Sequence, residues 1–271
     1  MRRACAVTLT HRTLLQYKFR RADQAFLKKR IQEIAFNRAG YGYERIYTLL
    51  RREGWLVNHK RVHRLYREMN LQLRAKKPKR KVSVSKRHFR PVVIQPNDCW
   101  SMDFVHDNIY DGKKLRILNI VDNFSKYCPA IGVRNSYKGT DVINTLDIAI
   151  ERFGKPKRIQ CDNGPEFVSK ELDLWAYSNG IELDFSRPGK PTDNAFVESF
   201  NGKFREECLN QHWFLDLEDA KKRIERWRMD YNTFRPHKTL GGLSPSEYVL
   251  RHSEGNDLIE KQADFSNSRW H

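Results

Sequence analysis

Three acidic residues stand in local sequence that suits phosphodiester chemistry. They are Asp103 in Cys-Trp-Ser-Met-Asp-Phe, Asp162 in Gln-Cys-Asp-Asn-Gly-Pro-Glu-Phe, and Glu198 in Asp-Asn-Ala-Phe-Val-Glu-Ser-Phe-Asn-Gly-Lys-Phe-Arg. Thirty-five residues separate Asp162 from Glu198. Carboxylates brought together on a scaffold can hold Mg²⁺, a means of cutting and joining phosphodiesters without a covalent intermediate. Spacing by itself is weak, because on the order of one Asp-to-Glu pair at this separation arises by chance among so many acids. The local contexts are the stronger signal. Each acid also has an ordinary role open to it: a strand cap for Asp103, a turn for Asp162, a surface position for Glu198. Asp122 is the rival acid, and its Asp-Asn-Phe-Ser setting reads as a turn cap.

The elements that must position these acids begin near residue 97. Short apolar strands are predicted at Cys99–Phe104, Leu115–Asp122 and Tyr127–Val133, then a helix from about Thr140 to Phe153. A strand at Arg158–Asp162, a helix at Ser169–Asn179 and a strand at Glu182–Phe185 follow. This order predicts an α/β fold, a mixed sheet covered by helices. Asp103 then lies on the first strand. Asp162 ends the fourth, where Asn163-Gly164-Pro165 turns the chain and leaves the carboxylate open at the sheet's edge. On the later helix Asn194, Glu198, Asn201 and Arg205 share one face, while Phe196, Val197, Phe200 and Phe204 form an apolar stripe to pack on the sheet. From Asp216 to Val249 the sequence reads as an aromatic-rich helix (Ile224, Trp227, Tyr231) and a Pro/Gly turn, packing on the core.

Charge divides the chain unevenly. Residues 1–90 hold 26 Lys+Arg against 5 Asp+Glu, and the remainder 25 against 28, so the net +18 lies wholly in the first third. Such a field attracts a polyanion, and nucleic acid is the usual one. Three helices are expected there. Leu27, Ile31, Ile34 and Ala35 mark the first, and Tyr43, Ile46, Tyr47 and Leu50 the second, ending at Gly54. Asn58 caps a third whose apolar face is Val62, Leu65, Tyr66 and Met69. Lys60, Arg64 and Arg67 share its opposite face, with Arg61 beside them. A short turn between the last two helices fits a helix-turn-helix, whose last helix enters the major groove of DNA; the alternative is a small helical bundle with a solvated charged face. His59 and His63 are spaced as zinc ligands, but no Cys-x-x-Cys supplies the other half of a tetrahedral site, so they are expected to face DNA or solvent. Arg74 to Arg90, with nine Lys/Arg and no acid, reads as a linker that tracks phosphates.

The expected division is therefore a basic helical domain at 1–73, a linker at 74–96, the acid-bearing core with its helical tail at 97–250, and a polar tail at 251–271. Five scattered cysteines read as reduced thiols of a cytosolic protein. No signal peptide and no membrane span are expected, which points to a soluble cytoplasmic protein associated with the nucleoid.

Several of these segments, in this order, resemble one family. Gly-Tyr-Glu-Arg-Ile-Tyr-Thr-Leu-Leu-Arg-Arg-Glu-Gly from Gly42, with Val-Asn-His-Lys-Arg-Val from Val57, is similar to its first domain. Val-Asp-Asn-Phe-Ser-Lys-Tyr from Val121 is similar to its second core strand, and Tyr-Asn-Thr-Phe-Arg-Pro-His-Lys-Thr-Leu-Gly-Gly-Leu-Ser-Pro from Tyr231 to its tail. The family is the insertion-sequence transposases of the IS-three type (downstream-frame proteins), which have a retroviral-integrase-like core, and the resemblance spans nearly the whole chain. It implies a ribonuclease-H-like fold preceded by a small all-α helix-turn-helix domain. It further implies Asp103, Asp162 and Glu198 as a catalytic triad holding two Mg²⁺ ions, for which Mn²⁺ would substitute. Water would release a 3′-hydroxyl at the element's end, and that hydroxyl would attack a second phosphodiester. Arg205 falls where relatives carry a basic residue that meets the DNA end, and Lys190 and Asn194 lie before it as further DNA contacts. The implied partners are double-stranded DNA, other copies of the chain on that DNA, and an upstream-frame helix-turn-helix protein. The alternatives are a DNA-binding regulator with an inactive core and a plain nuclease of the same fold.

Overall fold

Leu118 and Ile120 turn to one side of their strand and Ile117 and Val121 to the other, so the sheet is apolar on both faces and needs helices on both. The computed structural model describes residues 24–73, 92–187 and 194–253, with Cys5, Val7, Thr8 and His11. Its elements are, in chain order, Ala25–Asn37 (α1), Tyr43–Arg52 (α2), His59–Glu68 (α3), Trp100–Asn108 (β1), Lys114–Asp122 (β2), Ala130–Arg134 (β3), Gly139–Phe153 (α4), Arg158–Cys161 (β4), Lys170–Asn179 (α5), Glu182–Phe185 (β5), Ala195–Glu207 (α6) and Leu217–Thr233 (α7). A last helix, α8, covers residues 245–253. The strand order is β3-β2-β1-β4-β5. The first three strands pair antiparallel and β1, β4 and β5 pair parallel, with Asp103 opposite Asn119 in the register. This is the ribonuclease-H-like mixed sheet.

Each face of the sheet has its own core. Trp100, Met102, Leu118 and Ile120 pack with Val142, Leu146 and Ala149 of α4 and Leu172 and Ala176 of α5. On the other face, Val105, Leu115, Ile117 and Val121 meet Val197, Phe200 and Phe204 of α6 and Ile224 and Tyr231 of α7. Phe200 and Phe204 are buried, worth roughly 1.5–3 kcal/mol each. They pin α6 between the sheet and α7, where Trp227 and Tyr231 pack edge-on or tilted against them with ring centres 4.9–5.6 Å apart. Phe196, expected in that stripe, lies outside it: the ring is half exposed, with the Lys126 ammonium 3.8 Å from its centre.

The first domain has a separate core of Leu27, Ile31, Ile34, Ile46, Leu50, Val62 and Leu65. Asn58 caps α3 through its side chain, accepting from Lys60 N at 2.8 Å. Gly54 follows α2 at φ +86°, a conformation other residues rarely adopt.

Three boundaries differ from expectation. β1 continues past Phe104 to Asn108 because the β1–β2 hairpin pairs out to Asn108 and Lys114. β3 starts at Ala130 rather than Tyr127. The Asn232 side chain takes both the N–H and the carbonyl of Cys128, at 2.9 and 2.8 Å, and Pro129 has no N–H for a ladder. Finally, α8 follows the Pro/Gly turn. Its signal was present as Ser244-Pro-Ser-Glu247, a capping box in which Ser244 N donates to Glu247 Oε2 at 2.6 Å.

The tail also buries polar groups. Arg235 is almost fully buried and grips Glu207 with two hydrogen bonds of 2.8 and 2.5 Å. Beside it, burial and the Arg235 charge push the His237 imidazole down to about 2, so it stays neutral. The unfolded chain, with histidine near 6.5, binds that proton first, so this stabilisation is complete above pH 6.5 and is lost as the pH falls below it. Between about pH 7.5 and pH 5, thermal melts of the wild type should lose roughly 2 kcal/mol more stability than melts of His237→Gln.

Candidate active site

β1 presents Asp103 on the α6 side of the sheet, and α6 lies across it. The face that the spacing picked out on α6 is the face turned toward β1. Asn194 Nδ2 reaches the Met102 carbonyl at 3.4 Å, Asn201 Nδ2 donates to Asp103 Oδ2 at 2.8 Å, and an Arg205 Nη donates to the His106 carbonyl at 3.2 Å. Glu198 sits on the same face in the first turn of α6, exposed, where the helix dipole favours a carboxylate. Asp162 comes immediately after β4, exposed, and its Oδ1 accepts from Gly164 N at 2.9 Å. A Cβ on Gly164 would lie 3.0 Å from that oxygen, so the turn has little room for a side chain.

The loop bearing Asp162 is held at both ends. Phe167 is buried and stacks on Phe104 of β1, with ring centres 5.0 Å apart. Asn163 Nδ2 donates to the Ser186 carbonyl at 2.6 Å, tying the turn to the end of β5. Arg116 of β2 pairs with Glu166 and lies 4.4 Å over the Phe104 ring, and this bond holds the Glu166 carboxyl below its usual range.

Electrostatics tie the three acids together. Burial first, then the charges of Asp162 and Glu198, raise the Asp103 carboxyl to about 6, against the opposing bonds from Phe104 N and Asn201. Among the described residues no three acids, histidines or cysteines stand close enough to hold one ion. Like charges repel, and Asp103 and Asp162 turn to neutral donors instead. The three carboxylates are nonetheless near enough for the charges of Asp162 and Glu198 to act on Asp103, and hard carboxylate oxygens are the donors Mg²⁺ selects.

The structure moves several expected contacts. Asn194 is buried against β1, and its Oδ1 has no partner among the described residues, so it faces the core rather than DNA. Lys190 lies outside the described residues. On α3, Lys60, Arg61 and Arg67 are exposed, whereas Arg64 is half-buried, 3.5 Å from Glu68. Arg61 donates to Gln24 at 2.9 Å. His59 is exposed, as expected, and stands edge-on to Tyr47 at 6.1 Å, while His63 is partly exposed with its ring against Tyr43 at 4.3 Å. Asp122 is the turn cap it reads as, accepting from the backbone N–H and hydroxyl of Ser125.

Asn119 is the residue the spacing overlooked. It is fully buried, and its Nδ2 donates to Asn201 Oδ1 at 2.7 Å, so Asn119, Asn201 and Asp103 form one chain of hydrogen bonds. A lone amide inside Ile-Leu-Asn-Ile-Val was its signal, because a buried polar side chain needs a partner. Carboxyl titration of Asp103 by NMR, in chelator, should give a midpoint near 6 in the wild type. Glu198→Gln removes a like charge and should lower that midpoint, while Asn201→Ala removes a donor to the carboxylate and should raise it.

Comparison with known proteins agrees with this frame. An HTH-like domain model matches residues 21–79, and two Integrase core domain models match residues 94–191 and 179–245. An uncharacterised 31.7 kDa protein of insertion element IS407 from Burkholderia multivorans is 42% identical over 252 residues, 93% of this chain and 91% of that one. The putative transposase InsK of element IS150 from Escherichia coli K12 is 31% identical over 235 residues, covering 83% of each. Among solved structures, a simian T-cell lymphotropic virus intasome, in complex with PP2A regulatory subunit B56 gamma, aligns with TM-score 0.55 and 19% identity over 81% of this chain and 73% of that one, a likeness of fold. A helix-turn-helix-like domain, an integrase core and relatives matched over nearly the full length place this chain in the family of insertion-element transposases with an integrase core.

Proposed function

We propose that this transposase cuts and joins the ends of its insertion element at Asp103, Asp162 and Glu198, which would hold two Mg²⁺ ions, or Mn²⁺ in their place. The supporting observation is the placement of Asp103 on β1, Asp162 at the end of neighbouring β4 and Glu198 on the α6 helix that Asn201 ties to Asp103, near enough for the three charges to act on one another. When bound, the metal supplies Lewis-acid polarisation of the scissile phosphodiester and eases ionisation of the attacking hydroxyl. The chain's own part is to hold the reacting groups in place. Asn201, braced by Asn119, orients Asp103; the pinned loop fixes Asp162; and α6, anchored by Phe200 and Phe204, holds Glu198 rigid. Arg205, at the far end of the same face, meets a DNA phosphate.

The domain at 1–73 reads double-stranded DNA at the element's ends through Lys60, Arg61 and Arg67, with Arg64 and Lys190 as lesser contacts. The segment at 74–96 links it to the core and tail, 97–250. Copies of the chain assemble on that DNA, an upstream-frame protein completes the machinery, and the work takes place at the nucleoid. Among the described residues no helix is long and apolar enough to cross a membrane.

Asp103→Asn, Asp162→Asn and Glu198→Gln should each lower cleavage and joining of end duplexes by about a thousandfold or more while binding survives. Joining at wild-type rate by any of them would overturn the triad. Half-maximal cleavage should need more Mg²⁺ as the pH drops through about 6, because the proton then competes with the metal for Asp103. Lys60→Ala and Arg67→Ala should each reduce the salt dependence of DNA binding by about one counterion, read from the slope of log K against log salt.

A further inference from the structure

The arginines of the first domain and the tail motif from Tyr231 meet one another, and neither has a part in the chemistry above. Arg38, Arg45 and Arg52 recur at seven-residue intervals, which puts Arg45 and Arg52 on one side of α2, two turns apart. Each reaches toward an acid of the core or tail. Arg38 donates to Asp230 of α7 at 2.5 Å, with its guanidinium 4.8 Å over the Phe234 ring. Arg45 lies 3.5 Å from Glu207. Arg52 pairs with Glu247 at 2.6 Å and donates to the carbonyls of Phe234 and Gly242 at 3.0 and 3.1 Å.

Glu207 links these contacts to the active site. It ends α6, where Arg235 of the tail grips it in two short bonds, and Glu198 stands in the first turn of that same helix. Exposed ion pairs are individually worth about 1 kcal/mol or less. Several on one surface, around the buried Arg235–Glu207 pair, set a geometry that one alone would not. These arginines are directed at the protein, while Lys60, Arg61 and Arg67 of α3 stay on the exposed surface.

Given the assignment of Glu198 above, we propose that this arginine row couples DNA reading to strand cleavage. By seating α1 and α2 on α6, α7 and α8, it fixes the distance between DNA held by α3 and the carboxylates. Cleavage then falls at a set position relative to the bound sequence. Arg38, Arg45 and Arg52 are positioning residues, acting through Asp230, Glu207 and Glu247.

The test is a charge exchange at Arg38 and Asp230, in the full chain with Mg²⁺. Cleavage positions are mapped on a duplex carrying the element's end and on one of equal length without it. The wild type should cut the end duplex at one position. Arg38→Asp and Asp230→Arg alone should scatter the cuts and lower the preference for the end duplex by about tenfold. The double exchange should restore both position and preference. Single variants that keep the wild-type position and preference overturn the coupling. So does a double exchange no better than the singles, or a loss of fold or of cutting on both duplexes in proportion, which marks a merely structural contact. Glu198→Gln run alongside keeps the two readings apart. If it still cuts, the Glu198 assignment fails, while the charge exchange continues to judge the coupling.

Discussion

Asp103, Asp162 and Glu198 lie near enough to repel one another, and the elements that carry them are anchored elsewhere. Asp103 bears the cost most visibly: half-buried and in the field of Asp162 and Glu198, it holds its proton to about pH 6. Charging it at neutral pH works against the fold. What opposes that cost is apolar packing elsewhere. Phe200 and Phe204 fasten α6 to the sheet, and Phe167 fastens the Asp162 loop to β1 through Phe104. Each acid thus rides on an element anchored away from the charge, so repulsion does not push the three apart.

The amide chain from Asn119 through Asn201 to Asp103 adds orientation to that anchoring. A carboxylate accepting a bond from a held amide is fixed in rotamer as well as position, and the amide is itself held by a buried neighbour on β2. The same logic recurs in the tail, where Asn232 and Arg228 clamp the backbone of Cys128 and shape the turn between β2 and β3. Tail residues that read as mere packing therefore bear on the core by hydrogen bonds as well as by apolar contact.

Positive charge in the first domain divides between two tasks. The excess over residues 1–90 points to a polyanion, yet Arg38, Arg45 and Arg52 are directed at acids of the core and tail. A sum over sequence counts these residues with those of α3, because charge is additive along the chain while its direction is not. Asn194 shows the same limit. Its type suited DNA contact, but the side chain is buried against β1, and only packing determines which way a helix face turns.

Much of the frame was legible from local pattern. Short apolar runs marked the strands, the 3.6-residue period marked α4, α5 and α6, and the Asn163-Gly164-Pro165 turn put Asp162 at a strand end, because these signals depend on neighbours within a few residues. The α6 face of Asn194, Glu198, Asn201 and Arg205 was also readable, although what it faced was not. Residue type and spacing by themselves determined a mixed α/β core covered by helices and a helical domain before it. The ribonuclease-H-like fold and the choice of the three acids came from the resemblance of their sequence contexts to a known family. The tertiary structure alone decided that Asn119 braces Asp103 through Asn201, which lies 82 residues after Asn119, that Cys128 leaves the sheet for Asn232, and that the first domain's arginines meet the core. The reason is physical: those contacts join residues far apart in sequence, and whether they form depends on how packed elements present their faces, which no local period encodes.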